Sequence, residues 1–134
     1  MKTGAAKRKP TPLFMAAVLV RHDLRMPTSQ LLPFIAQAVL APVTQRSGES
    51  APAWLVEAQQ LWLDGDQHVA FFRVHSERAL SEAVDRARQS GIAAKVIYKS
   101  GRAAVDAAGT AICCAIGPGV TPQVLSVTRP LAKW

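Results

Sequence analysis

The chain has 134 residues, of which 49% are hydrophobic, 19% are charged and 6% are aromatic. That length suits one domain with its own apolar core, and the composition excludes a disordered or fibrous chain. A formal charge of +7 and a pI near 10.1 favour a polyanionic partner, nucleic acid before any other. The two cysteines, Cys113 and Cys114, are adjacent. Strand neighbours point to opposite faces, so they read as core thiols of a reducing compartment rather than a disulfide. No Cys/His spacing suggests a metal site, and His22, His68 and His75 show no ligand spacing. No apolar run reaches the roughly 20 residues of a membrane-spanning helix.

Residues 1–12 carry Lys2, Lys7, Arg8 and Lys9 without an acid, and include Pro10 and Pro12. This is the pattern of a flexible basic tail, compatible with an organelle-targeting remnant or an RNA-contacting arm. The domain is expected over residues 13–134. Phe14–Val20 is a continuous apolar run, as in a strand buried on both faces. Pro27-Thr28-Ser29 is a turn and helix start. From Gln30 to Val43, Leu31, Phe34, Ile35, Ala38 and Val39 recur at helical spacing, and Pro42 marks the end.

A polar loop over residues 44–50 leads to Pro52 near the first turn of a second helix. Its expected buried stripe is Trp54, Leu55, Ala58, Leu61 and Trp62. Asp64-Gly65-Asp66 is a turn, and His68–Val74 a strand. Ser76 is placed to cap a third helix with Leu80, Ala83, Val84 and Ala87 on its apolar face, ended by Ser90-Gly91. Ala94–Tyr98 and Thr110–Ile116 are strands joined through the polar turn Lys99-Ser100-Gly101-Arg102. Gly117-Pro118-Gly119 is expected to break the latter strand. Pro122–Thr128 is a short helix, and Trp134 either packs locally or anchors a partner. The order β-α-α-β-α-β-β-α predicts a three-layer α/β domain, a four-stranded mixed sheet flanked by helices.

Several blocks in this order resemble the type 2 peptidyl-tRNA hydrolases. They are Arg21-His22-Asp23-Leu24-Arg25-Met26, the helix Leu31–Leu40, Trp62, Gly65-x-x-His68-Val69 and Val74-His75-Ser76-Glu77-x-x-Leu80. The later ones are Ser100-Gly101-Arg102, Gly109-Thr110, Ala115-Ile116-Gly117-Pro118 and Val127-Thr128. The resemblance spans about residues 13–134. It implies the same fold and hydrolysis of the ester joining a peptide to the 3′ end of tRNA, with no cofactor or metal.

The chain departs from the family pattern where that chemistry should sit. After the first block the family usually continues Gly-Lys-Gly-Lys-x-Ala-Ala-Gln-x-x-His-Ala. Its lysine positions fall on Thr28 and Gln30, its glutamine on Phe34 and its histidine on Gln37. Where the family usually has Asp-Ala-Gly-(Arg/Lys)-Thr, this chain has Lys99-Ser100-Gly101-Arg102-Ala103. Ester hydrolysis needs a group to orient or deprotonate water and charge to stabilise an oxyanion. A protonated lysine cannot supply the first. Asp23, Gln30 and Asp106 are the remaining weak catalytic candidates. Arg21, Arg25, Lys95, Lys99 and Arg102, with Lys7, Arg8 and Lys9, are the candidate phosphate contacts.

The expectation is therefore a domain that binds tRNA or rRNA with catalysis lost, in a ribosomal or other ribonucleoprotein setting. Its expected place is intracellular, the mitochondrion ahead of the cytoplasm. The alternative is an active peptidyl-tRNA hydrolase with a rearranged site.

Overall fold

A computed structural model describes residues 13–44, 53–65, 67–99 and 109–134. The elements are β1 (Phe14–Arg21), α1 (Thr28–Thr44), α2 (Ala53–Asp64), β2 (His68–Val74), α3 (Glu77–Gln89), β3 (Ala94–Lys99), β4 (Thr110–Val120), α4 (Thr121–Thr128) and β5 (Ala132–Lys133). The sheet order is β3-β4-β1-β2-β5. The central pair β1 and β2 is parallel, and every other pairing is antiparallel. Among the described residues no helix is long and apolar enough to cross a membrane.

The apolar run of β1 follows from its position between two helical layers. Met15, Ala17 and Leu19 join Leu80, Ala83, Val84 and Ala87 of α3 and Val124 and Val127 of α4 in one core. Val18 and Val20 join Leu31, Ala38 and Ala41 of α1 in the other. Cys114 lies in the first core and Cys113 in the second, both as free thiols. Burial pushes the Cys113 thiol up to about 12 and raises Cys114 further. Ser76 caps α3 as expected, its hydroxyl accepting from the Ala79 amide at 2.9 Å.

Four expectations need correction. The sheet has a fifth strand: Ala132 and Lys133 pair with Arg73 and Phe72, and the Trp134 amide donates to the Phe71 carbonyl at 3.1 Å. Two residues are too few to show an alternating pattern. Secondly, Gly117-Pro118-Gly119 does not break β4. Met15 pairs with Gly119 and Ala17 with Ile116, so Gly117 and Pro118 together face Ala16 as a bulge. Gly117 takes φ 103° there, before a cis peptide to Pro118. Pro118, with no N–H to donate, sits where the ladder is interrupted. Thirdly, the buried face of α2 is Leu55, Gln59 and Trp62, spaced i, i+4, i+7, whereas Leu61 is exposed. The Trp62 indole N–H donates to the His68 carbonyl at 3.0 Å and fixes α2 to the start of β2. α1 also begins at Thr28 and continues to Thr44, past Pro42.

Candidate functional site

In open α/β sheets, crevices form outside the carboxyl ends of the parallel strands. Here β1 and β2 end side by side, with Arg21 paired to Val74 and the His22 amide donating to the Val74 carbonyl at 2.9 Å. The chain then turns through Arg25, a non-glycine residue at φ 53°, into the first turn of α1. A cleft of about 340 Å³ opens there. His22, Arg25, Met26, Thr28 and Leu31 line it, Arg21 forms part of its floor, and Trp134 closes one side.

Arg21 is 8% exposed, and each of its three nitrogens makes a hydrogen bond. Its Nε and Nη2 donate to the two oxygens of Asp23, at 3.1 and 2.7 Å. Its Nη1 donates to the Ala111 carbonyl at 3.0 Å, and Glu77 lies 3.8 Å away. This fork is the bidentate arrangement that suits a guanidinium and a carboxylate. The hydrogen bond to Asp23 raises the Arg21 pKa, against the opposing effect of burial. The same bond holds the Asp23 carboxyl below its usual range, so it is ionised at neutral pH. His22 is shifted down, first by desolvation and then by Arg73 and His75, which leaves a neutral imidazole. Its Nε2 is buried without a hydrogen-bond partner among the described residues. Trp134 meets His22 edge-to-face, centroids 5.2 Å apart at 85°, and meets Phe71 at 6.2 Å and 72°.

The expected site residues fall into three groups. Arg21 and Arg25 share the lining of the cleft, and Asp23 is tied to it through Arg21 without lining it. Arg21 clamps Asp23 and the Ala111 carbonyl, with one hydrogen bond from each of its three nitrogens. Arg25 is exposed on the cleft wall. Lys99 ends β3 opposite Thr110, next to the Ala111 that accepts from Arg21, so it shares this end of the sheet. Lys95 pairs with Ala115 and lies about 13 Å back along the strand. Gln30 is exposed on the first turn of α1 and does not line the cleft. Lys7, Arg8, Lys9, Arg102 and Asp106 lie outside the described residues. Among the described residues no three His, Cys, Asp or Glu side chains gather as metal ligands.

The sequence alone gives His22 no site role and leaves Trp134 between local packing and anchoring a partner. The signal for His22 was its place inside the Arg21–Met26 block. Trp134 reaches the cleft only through the β2–β5 register, which no local pattern announces.

The cleft offers a cation and an aromatic ring in its lining, and next to it, through Arg21, an ionised carboxylate. Such a set can orient water and hold an anionic ligand. The model of the family "Peptidyl-tRNA hydrolase PTH2" matches residues 14–133. A peptidyl-tRNA hydrolase of Sulfolobus acidocaldarius is 32% identical over 119 residues, covering 86% of this chain and 95% of that protein. One from Metallosphaera sedula is 32% identical over 115 residues, covering 85% and 94%. The first block and the late Gly-Pro bulge thus sit in one continuous match that runs through every described element up to Lys133, and the chain belongs to the type 2 peptidyl-tRNA hydrolase family.

Proposed function

We propose that the chain hydrolyses the ester between a peptide and the 3′ end of tRNA. The observation that carries this reading is the Asp23 carboxylate, held ionised by Arg21, itself a lining residue of the cleft at the carboxyl ends of β1 and β2. Membership of a family whose relatives are named for this activity, matched over nearly the whole length of each, supports it.

Asp23 has a pKa too low for an efficient general base, so its part is to accept a hydrogen bond from the attacking water and orient it. Arg25, exposed on the cleft wall, supplies positive charge to the phosphate or the developing oxyanion. The bulk charge of +7 draws the tRNA in.

A second reading, binding of the RNA without cleavage, is favoured by one specific observation. Lys99 stands where the family resemblance places an acid, and Thr28 and Gln30 stand where it places lysines. The two readings separate in a single-turnover assay of peptide release from peptidyl-tRNA by the purified protein. The expected result is release above the buffer rate, reduced about 10²-fold or more by Asp23→Asn. No release at saturating protein, with tRNA still bound, overturns the hydrolase reading in favour of binding alone.

A further inference from the structure

We infer that Trp134 is the stacking platform for the last nucleobase of the RNA 3′ end. This rests on the reading that an RNA 3′ end enters the cleft, and it assigns one side of that cleft to one part of the ligand.

Trp134 lines the cleft and is 47% exposed, a large apolar residue left partly open to solvent. Its backbone is fixed by the Phe71 carbonyl, and the residue before it, Lys133, is paired with Phe72. Both aromatic neighbours, His22 and Phe71, meet it edge-to-face. Neither is stacked parallel on it, and the exposure of the residue leaves ring surface for a further partner. A ring held by two aromatic contacts and a paired backbone has less freedom to lose when the ligand arrives, which lowers the ordering cost of binding. Arg25 is exposed on the same cleft. A π-face paired with a nearby cation is the combination that holds single-stranded nucleic acid, the base on the ring and the phosphate on the charge. An apolar peptide side chain would use the ring but has no need of the cation.

The test is fluorescence anisotropy of a labelled oligoribonucleotide ending in CCA, the 3′ sequence of tRNA, compared with the same oligonucleotide carrying an abasic 3′ residue. Wild-type protein should bind the intact RNA about tenfold more tightly than the abasic one. Trp134→Ala should lose that factor on the intact RNA and nothing further on the abasic one. Trp134→Phe, which keeps a flat ring and the β5 backbone, should retain most of it. Equal losses for Trp134→Ala on both RNAs, or no loss on either, overturn the platform. Unchanged RNA affinity combined with peptide-dependent changes in ester hydrolysis moves the ring to the peptide side and also overturns it. Wild-type protein that neither binds the RNA nor hydrolyses peptidyl-tRNA brings down the functional reading together with the platform. Hydrolysis with no difference between the two RNAs brings down the platform alone.

Discussion

The Arg21 guanidinium reaches the Ala111 carbonyl, 90 residues away in sequence, through Nη1 at 3.0 Å while its Nε and Nη2 hold Asp23. One side chain thus ties the end of β1 to the start of β4 and sets the geometry of the Asp23 carboxylate beside the cleft. A lysine at this position keeps the charge but loses the fork. Arg21→Lys is expected to destabilise the domain by about 1.5–3 kcal/mol, since a charged hydrogen bond is removed in a buried setting. Urea denaturation gives the value, with an unchanged m-value showing that the fold persists.

The same pair fixes the sign of the acid response. The Asp23 pKa is lower in the folded protein than its ordinary 3.8, so its contribution is fully present above that value. It is lost as pH falls through the folded pKa. His22 acts in the same direction one stage earlier. Its folded pKa is below 6.5, so the unfolded chain binds the proton first and stability begins to fall as pH drops through 6.5. Urea midpoints between pH 7.5 and 3 should therefore decline in two stages. His22→Phe should remove the upper stage and Asp23→Asn the lower one. A midpoint that is flat down to pH 4 in the wild type would contradict the first assignment.

Much of this fold is legible in the sequence because its signals are strong and local. Phe14–Val20 is apolar throughout since both of its faces are covered, and Ser76 stands three residues before the amide it caps. What escaped depends on partners distant in the chain. Lys133 and Ala132 are strand residues only because β2 offers a free edge. Arg21 at a strand end reads as a surface charge until Ala111 and Asp23 surround it. Gly117-Pro118-Gly119 reads as a breaker, because only the facing strand shows that two residues are absorbed opposite Ala16.

Gly117 and Gly91 form a natural pair for measuring that bulge. Both have positive φ, 103° and 77°. A Cβ on Gly117 would stand 2.9 Å from the Met15 carbonyl oxygen and 3.2 Å from the Ala16 Cα, whereas one on Gly91 meets nothing within 4 Å. Gly91→Ala should therefore show the left-handed penalty alone, about 1–2 kcal/mol. Gly117→Ala adds a backbone clash to the same kind of penalty and should cost more than about 3 kcal/mol. Equal costs in chemical denaturation would mean that β1 and β4 move apart freely at the bulge.

Gln59 is 3% exposed, and neither atom of its amide has a hydrogen-bond partner among the described residues. A buried polar group left unsatisfied carries its desolvation cost without return. Gln59→Met keeps the unbranched shape and removes that cost. It should raise stability by about 1–2 kcal/mol, read as a higher urea midpoint at unchanged m-value.

Lys99 is where the two functional readings meet. It closes β3 opposite Thr110, one residue before the carbonyl that receives Arg21, and it is exposed. A lysine there adds attraction for phosphate and subtracts a carboxylate that could work on water. Lys99→Asp reverses both effects at once, so the two must be read separately. If the missing acid limits hydrolysis, the single-turnover rate should rise about 10²-fold at saturating protein. Affinity for RNA should fall, and the slope of log affinity against log salt should become shallower by about 0.7, the share of one neutralised phosphate. Lys99→Ala isolates the binding part, with the shallower slope and no gain in rate. A Lys99→Asp protein with weakened binding and an unchanged rate would leave Lys99 as a phosphate ligand only. The chemistry would then rest on the Arg21–Asp23 pair and not on the end of β3.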